Sequence, residues 1–285
     1  MELRIATATG LIGADTRALP SGPARVFGDA LIVGDRHLFW HSGSEWAPVG
    51  DAPGLRCAVD APGGLVVGTE GAHLLRRGPT GLTRIDSFET VDGRADWYTP
   101  WGGPPEVRSL ACTADNVLLA NVHVGGIARS DDSGRTWTPT IDIHFDVHQV
   151  RSIWGRGDLV VAAASVGLCI SRDGGRTWRV RAEGLDNTYC RAIAVPDEAI
   201  LMSASEGPRG RRSAIYRTSI HGDAPFERVT DWMVGNVDTA ALDGLGECVA
   251  FGTPTGEVWH SADSGSTWDR IHSGLAPVTS VSLVA

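Results

Sequence analysis

The chain has 285 residues, of which 42% are hydrophobic and 36 are glycine, a composition that suits one closed domain of short strands and turns. A formal net charge of −9 argues against nucleic acid as a general partner, because nucleic-acid-binding surfaces need an excess of basic residues. All 25 basic residues are arginine, which excludes a lysine Schiff base and a Walker phosphate loop.

Residues 1–10 lack the basic segment and apolar core of a secretory signal. No run approaches the roughly 18 apolar residues of a membrane-spanning helix. The five cysteines form no C-x-x-C pair, and most lie in apolar, strand-like runs, namely at Cys57, Cys112, Cys169, Cys190 and Cys248. We therefore expect reduced packing thiols in a cytoplasmic protein that has no membrane association.

In chain order, apolar runs group into successive four-stranded units, expected at residues 21–50, 54–88, 107–141, 149–185, 190–231 and 237–276. Residues 2–20 are predicted to form the middle strands of a blade that lacks an inner strand. Residues 278–285 are predicted to form an inner strand that lacks partners. Pairing the two ends closes a ring of seven blades and leaves no unpaired edge. The Pro- and Gly-rich stretch 89–106 is predicted to be a long surface loop, and such loops are often functional.

In three units the third strand ends in one eight-residue frame, S-x-D-x-G-x-T-W, found at residues 130–137, 171–178 and 261–268, and an outer strand follows. The first two copies begin 41 residues apart and the last two begin 90 apart, close to twice that spacing. A regular spacing of roughly 40 residues is typical of repeat architectures. The Asp and Gly predict a tight turn, and the Thr and Trp begin the returning strand.

This frame resembles the Asp box, or bacterial neuraminidase repeat (BNR), of sialidases, sortilin-type receptors, xyloglucan hydrolases and the photosystem II assembly-factor propeller. The resemblance implies an all-β propeller whose boxes are structural turns on the face away from the ligand site. The overall likeness is to sialidase-like and glycosyl-hydrolase-like bacterial propellers. It specifies no activity, because the Arg-Ile-Pro opening and the Tyr–Glu pair of sialidases are not visible here.

Arginine lies near the start of five predicted inner strands, around the channel mouth where ligands are expected to bind: Arg25, Arg56, Arg108, Arg151 and Arg191. In this alignment the guanidinium groups converge and would repel one another unless they were neutralised. Either each arginine pairs with an acidic residue of the adjacent blade, or the group binds a carboxylate or phosphate ligand.

Histidines crowd the same face. His123 ends a second strand, and the connection into the next blade contains His144, Asp146 and His148. These side chains are candidates for acid/base chemistry, for ligand contact or only for hydrogen bonding within loops. We expect no cofactor, with a divalent metal at His123, His144 and His148 as the alternative.

Several further residues are predicted on this face. The predicted catalytic residues are His123, His148, Tyr189 and Asp238. Ser205 and Glu206 follow a second strand, and Trp97 and Trp101 lie on the long loop. These four are predicted ligand contacts, with the tryptophans forming an apolar or sugar-stacking wall. Turn chemistry and loop anchoring are the alternative roles for them.

Two functional hypotheses follow. In the first, the top face binds a small polar or anionic ligand, such as a glycan or a carboxylated metabolite. A His/Asp acid–base pair would act on it as a glycosidase-like hydrolase or a lyase. In the second, the propeller is a non-catalytic scaffold that grips a protein partner, as the resemblance to the assembly-factor propeller implies. The sequence leaves open whether the protein is an enzyme.

Overall fold

The structure, a computed structural model, describes residues 1–13, 19–153, 155–233 and 235–285. These residues form six four-stranded antiparallel sheets and one three-stranded sheet, arranged as the blades of a β-propeller. The prediction of an all-β, seven-bladed propeller is therefore confirmed. Three short 3-10 helices lie between the strands, at Asp86–Thr90, Arg94–Asp96 and Ile143–Phe145.

Each blade from 2 to 7 takes four consecutive strands. Blade 2 contains β3 (Ala24–Phe27), β4 (Ala30–Val33), β5 (His37–Ser42) and β6 (Glu45–Asp51). Blade 3 contains β7 (Leu55–Val59), β8 (Val66–Thr69), β9 (Leu74–Gly78) and β10 (Gly81–Arg84). Blade 4 contains β11 (Val107–Cys112), β12 (Leu118–Val122), β13 (Gly126–Ser130) and β14 (Thr138–Pro139).

The second half of the ring repeats this order. Blade 5 contains β15 (Val147–Ile153), β16 (Arg156–Ala164), β17 (Gly167–Ser171) and β18 (Arg179–Arg181). Blade 6 contains β19 (Tyr189–Ala194), β20 (Ala199–Ser205), β21 (Ala214–Ser219) and β22 (Glu227–Arg228). Blade 7 contains β23 (Leu242–Leu245), β24 (Cys248–Gly252), β25 (Val258–Ser261) and β26 (Asp269–His272).

Blade 1 joins the two ends of the chain. It contains β1 (Glu2–Thr7), β2 (Gly10–Ile12) and, as its inner strand, β27 (Val278–Val284). β27 pairs with β1 along its length, and its Ser280 and Ser282 hydroxyls accept hydrogen bonds of 2.7 and 2.9 Å from backbone N–H groups of blade 2. On its other side the Leu283 N–H donates to Asp243 Oδ2 of blade 7 at 2.9 Å. The predicted closure of the ring is confirmed.

The core is divided among the blade interfaces. Among the described residues, seven clusters of buried hydrophobic side chains each span two neighbouring blades. The alternation of the strands explains this arrangement, because side chains on the two faces of a sheet point to opposite neighbours. Each blade is therefore stabilised by both of its neighbours, and the inner strands are held in a fixed ring around the channel.

The long insertion after blade 3 differs from its prediction. It is not simply a surface loop, because Phe88, Val91 and Trp97 are almost fully buried and extend the cluster between blades 3 and 4. Trp97 lies 5.6 Å from the Phe88 ring, and the Arg94 guanidinium lies over it at 5.0 Å. Trp97 is therefore a packing residue and offers no face to a ligand, contrary to the sugar-stacking prediction.

The three repeated frames form turns with one hydrogen-bond pattern. In the second frame, Asp173 Oδ1 accepts from the backbone N–H groups of Arg176 and Thr177 at 3.0 and 2.9 Å. The Ser171 hydroxyl donates to the same carboxylate oxygen at 2.7 Å and accepts from Gly175 N–H at 2.8 Å. Asp132 and Asp263 accept the equivalent bonds in the other two frames. These bonds satisfy backbone N–H groups of the turn that would otherwise lack an acceptor, so the aspartate side chain stabilises the turn.

These turns lie at the opposite end of the sheet from the histidines. In blade 4, Ser130 of the turn pairs with Leu118 at the start of β12, whereas His123 follows the last residue of that strand. A five-residue strand separates its two ends by about 13 Å. The repeated frames and the candidate site therefore occupy different faces of the propeller.

Acid titration should reveal the contribution of the turn aspartates. Burial opposes ionisation of Asp173, but hydrogen bonds from Thr177, Ser171 and Arg176 outweigh it and lower its pKa from 3.8 to about 2. The unfolded chain therefore takes up this proton at a higher pH than the folded chain, and protonation favours unfolding. We expect the stability advantage of the wild type over Asp173→Asn to be full above about pH 4 and to shrink toward pH 2.

Urea unfolding at a series of pH values measures this difference. Asp158→Asn, which alters an exposed carboxylate in the same blade, is the control and should match the wild type throughout. A difference between wild type and Asp173→Asn that stays constant from pH 7 to pH 2 would contradict the assigned role.

No helix in the described ranges is both long and apolar enough to cross a membrane. All five cysteines are unpaired, and Cys57, Cys169 and Cys190 are buried. Burial raises the pKa of the Cys57 and Cys169 thiols to about 12, so both behave as inert packing groups.

Candidate functional site

Alternating charges surround the mouth of the central channel. Seven residues, which we call the charged belt, are each linked to the next by a guanidinium–carboxylate contact of 4.0 Å or less: Arg25, Asp35, Arg56, Glu106, Arg108, Asp238 and Arg191. Glu70 also contacts Arg56, at 3.2 Å. Four arginines therefore face four carboxylates, and the group has no net formal charge.

The charged belt encloses a cavity. Six of its residues line a space of about 430 Å³ at the channel mouth, together with Thr239, Pro254 and Thr279 from blades 7 and 1. The first alternative for the arginines, pairing with an acidic residue of the adjacent blade, describes Arg56 and Arg191. Arg25 instead pairs with Asp35 of its own blade, and Arg108 reaches Asp238 across the channel. The acidic partners Asp35, Glu70 and Glu106 were missed from the sequence, although Glu106 lies only two residues before Arg108.

Two carboxylates of the charged belt, Glu106 and Asp238, have lowered pKa values. Burial opposes ionisation of Glu106, but contacts with His123, Arg108 and Arg56 outweigh it and lower its pKa to about 2. The Asp238 side chain is 56% exposed, but its position at the channel mouth still removes some water from the carboxylate, which acts against the charge. The guanidinium groups of Arg108 and Arg191 outweigh this effect, so the pKa lies below its usual range. Neither group can act as a carboxylic acid near neutral pH.

Arg151 does not lie at the channel mouth as predicted. The strand registers show that His148, not Arg151, is the residue of β15 that matches Arg108 of β11. The predicted alignment was therefore three residues out of register, or about 10 Å along the strand. Arg151 instead lies deeper in the channel, where it contacts Asp243 at 3.1 Å and lines a second cavity of about 370 Å³.

Beside the charged belt, two histidines converge on one carboxylate. His123 Nε2 lies 3.2 Å from Asp146 Oδ1, and His148 Nε2 lies 3.4 Å from Asp146 Oδ2. Both imidazoles are fully buried, whereas the Asp146 side chain keeps 19% of its surface exposed. These three side chains, which we call the histidine cluster, offer ligand atoms of the types found in two-histidine, one-carboxylate metal sites.

The backbone around the histidine cluster is unusual. Asp142 accepts a hydrogen bond from His144 N–H and begins the short helix Ile143–Phe145. Asp146 ends that helix in the left-handed region, with φ of 47°, and Val124 beside His123 has φ of 40°. A positive φ is a genuine outlier for a β-branched residue such as valine, and such strain concentrates at functional sites.

The proton positions on His148 follow from its partners. Its Nδ1 lies 2.6 Å from the carbonyl oxygen of Cys190, which can only accept, so Nδ1–H is the donor. The Nε2 atom of the neutral ring then offers a lone pair, to which Tyr189 Oη donates at 3.1 Å. Burial lowers the pKa of His148, against the opposing effect of Asp146, so the ring is neutral at physiological pH.

Tyr189 is the protonated group that links this cluster to solvent. Burial and the Asp146 charge raise its pKa, and its ring lies 4.7 Å from the His148 ring. The Arg191 guanidinium lies 6.0 Å from the tyrosine ring. The structure therefore brings His123, His148, Tyr189 and Asp238 to one face, as the sequence predicted, although their catalytic roles remain predictions.

Of the remaining predicted site residues, one lies beside the histidine cluster and the others do not contribute to it. Trp101 is 65% exposed, and its ring lies 4.7 Å from His123, so it borders the site. Ser205 is fully buried and bonded to Gly207 and Asn236, so it serves the structure of blade 6. Glu206 lies at the surface beside Arg211. His144 is exposed on the short helix and does not join the histidine cluster, where Asp146 takes its place.

The propeller resembles solved structures at low sequence identity. An ancestral GH74 enzyme gives a TM-score of 0.62 at 15% identity, covering 86% of this chain and 37% of that one. The GH74 xyloglucanase from Xanthomonas campestris gives 0.60 at 16% identity, covering 86% and 44%. The computationally designed Ika8 protein gives 0.60 at 12% identity, covering 92% and 77%.

These similarities establish the β-propeller fold alone, because the fold is shared by proteins of unrelated function. The chain spans less than half the length of either GH74 enzyme. No protein-family model matches the sequence, and no curated protein sequence matches it.

Proposed function

We propose that the protein binds a carbohydrate-like ligand, rich in hydroxyl groups and carrying at most one carboxylate, in the cavity enclosed by the charged belt. The observation that carries this proposal is the charge balance of the belt. Each guanidinium group of the belt already has a carboxylate partner, so the part of the mouth that the structure describes has no surplus of positive charge to hold a strongly anionic ligand. Alternating donors and acceptors suit hydroxyl groups, which do both.

The size of the site supports the same ligand class. A volume of about 430 Å³ falls within the range of pockets that enclose small ligands. The exposed Trp101 ring, which lies beside His123 and outside the cavity lining, offers an apolar face on which a sugar ring of a longer ligand can stack. The structural neighbours include a xyloglucanase, which by name acts on a polysaccharide, and this fold-level likeness is compatible with the proposal.

The pKa values of the carboxylates at the channel mouth favour a mechanism of proton transfer through Tyr189 over hydrolysis by a pair of carboxylates. Glycosidases of the paired-carboxylate type need one carboxylic acid whose pKa is raised. Glu106 and Asp238 both have lowered pKa values instead. In the proposal, the ligand extends from the cavity past Asp238 to Tyr189. Tyr189 Oη takes a proton from the ligand while it passes its own hydroxyl proton to the lone pair of His148 Nε2. This arrangement suits a lyase-type step more than a hydrolytic one.

Replacing Asp238 by asparagine tests the binding site. Asp238→Asn removes the charge that bridges Arg108 and Arg191 and leaves the mouth with an unpaired positive charge. We expect binding of neutral oligosaccharides to weaken about tenfold, the effect of one charged hydrogen bond. Binding of uronate-containing oligosaccharides should weaken less, because their carboxylate can replace the lost one. Calorimetric titration with a panel of both kinds of sugar measures the difference.

Asp223→Asn is the matched control. Its carboxylate is 60% exposed, against 56% for Asp238, and it pairs with Arg179 on the outer strand of blade 5. This variant should bind as the wild type does. Equal weakening in both variants, or a wild-type protein that binds no sugar of the panel, would overturn the proposal and favour the protein-scaffold hypothesis.

A further inference from the structure

We infer that His123, Asp146 and His148 form a site for one divalent transition-metal ion beside the charged belt. The inference goes beyond ligand binding at the cavity and does not depend on it. Its basis is a conflict among hydrogen-bond acceptors that a cation between them would resolve.

The conflict is clearest at His148. Because its Nδ1–H donates to the Cys190 carbonyl, the neutral ring presents only a lone pair at Nε2. That lone pair accepts from the Tyr189 hydroxyl at 3.1 Å and also faces Asp146 Oδ2, another acceptor, at 3.4 Å, so an ion bound at Nε2 would displace the tyrosine hydroxyl. Two acceptors in contact repel each other unless a positively charged species lies between them. A fully buried imidazolium is costly, whereas a metal ion shares its charge among three ligands.

Unpartnered atoms give a second indication. Within the described residues, Asp146 Oδ1 and His123 Nδ1 are buried and form no hydrogen bond. His123 Nδ1 faces the Glu106 carboxylate at 3.8 Å, so its Nε2 is the nitrogen that points into the cluster. Both histidines therefore direct Nε2 to the centre and Nδ1 to an outer oxygen acceptor. Metal-binding histidines are oriented in this way by a carboxylate or a carbonyl.

The distances fit a small ion. The three ligand atoms lie within 4.8 Å of one another, and the two nitrogen–oxygen distances are 3.2 and 3.4 Å. Ligands bound tetrahedrally at 2.0–2.2 Å lie about 3.4 Å apart, so only small movements are needed. Two imidazoles and one carboxylate, without a thiolate, favour Zn²⁺, Mn²⁺, Fe²⁺ or Co²⁺ over Cu⁺, Ca²⁺ and Mg²⁺.

One neighbouring charge opposes the ion. Arg108 Nη1 lies 3.4 Å from His123 Nε2, and a cation at this distance lowers metal affinity. Two negative charges border the same imidazole, because Asp146 lies against the Nε2 atom that Arg108 also contacts and Glu106 lies against Nδ1. The balance of charge around the site is therefore favourable for a divalent ion, and three protein ligands leave coordination positions for water.

Metal titration of tag-free, chelator-treated protein tests the inference. We expect about one equivalent of Zn²⁺ or Co²⁺ to bind, measured by elemental analysis and calorimetry, with a rise in the thermal unfolding temperature. Bound Co²⁺ should also give a visible absorption spectrum. His123→Ala and Asp146→Asn should each lose stoichiometric binding, and circular dichroism shows whether these variants remain folded.

His144→Ala is the decisive control, because His144 lies only two residues from Asp146 but outside the cluster. This variant should bind metal as the wild type does. A sugar panel on the metal-free protein tests the cavity separately, so either proposal can fail alone. Wild-type protein that binds less than about a tenth of an equivalent, or equal loss of binding in His144→Ala and folded Asp146→Asn, would overturn the metal site.

Discussion

Deleting residues 278–285 is expected to abolish folding of the whole propeller rather than of blade 1 alone. The deletion removes β27, the inner strand that closes the ring, and exposes the edge of β1. It also removes Val278, Val281 and Leu283, which are at most 7% exposed. Burial of three such side chains contributes about 5–9 kcal/mol. The total stability of a folded protein is only about 5–15 kcal/mol, so little would remain.

Circular dichroism and thermal unfolding measure this effect. We expect the truncated chain to be aggregated or to lack a cooperative transition. Deletion of Ala285 alone is the control, because this residue is exposed and lies outside β27. A truncated protein that stays monomeric and unfolds at the wild-type temperature would show that ring closure contributes little to stability.

Replacing Arg108 by glutamine should change the two proposed sites in opposite directions. Arg108 lies between Glu106 and Asp238 in the charged belt and also borders His123. Its loss removes one of the three guanidinium groups that line the cavity, and we expect binding of neutral sugars to weaken at least about tenfold. The same change removes a cation next to the histidine cluster. Zn²⁺ affinity should therefore rise about tenfold or more, because like charges about 4 Å apart repel by several kcal/mol in a partly buried site.

Calorimetric titrations of the same purified variant with oligosaccharide and with Zn²⁺ separate these effects. Arg179→Gln, which removes an exposed arginine from an ion pair on blade 5, is the control and should leave both affinities unchanged. A fall in both affinities with retained folding would mean that Arg108 only supports local structure. A fall in Zn²⁺ affinity alone would place the metal away from His123.

The fold could be predicted because the sequence features that specify each blade lie close together in the chain. Each blade is specified by apolar strands close in sequence, and in three of the blades the same Asp-containing turn connects the third strand to the outer strand. The repeat therefore indicated the propeller, and the unpaired strand at residues 278–285 indicated the closure. Trp97 was misjudged because a loop rich in Pro and Gly resembles an exposed one, whereas this loop packs against Phe88.

The alignment of blade 5 shows where sequence patterns fail. Arg151 and Arg108 both lie in apolar runs of similar length. The short helix before β15 and the bulge within β15 change the alignment of this strand, and no sequence motif indicates either feature. Only the pairing with β16 shows that His148 takes the position at the mouth. An offset of three residues preserves much of an apolar pattern yet moves a side chain about 10 Å along the strand.

The sequence by itself determined the seven blades, the closure of the ring and the face on which function should be sought. Strand alternation and turn chemistry act within about 40 residues, so no distant contact was needed to predict them. The tertiary structure alone decided the partners at the site. The belt carboxylates reach arginines from other blades, and His148 is oriented by the Cys190 carbonyl, which belongs to the backbone. Every non-proline residue carries the same donor and acceptor, so only folding selects the group that orients the ring.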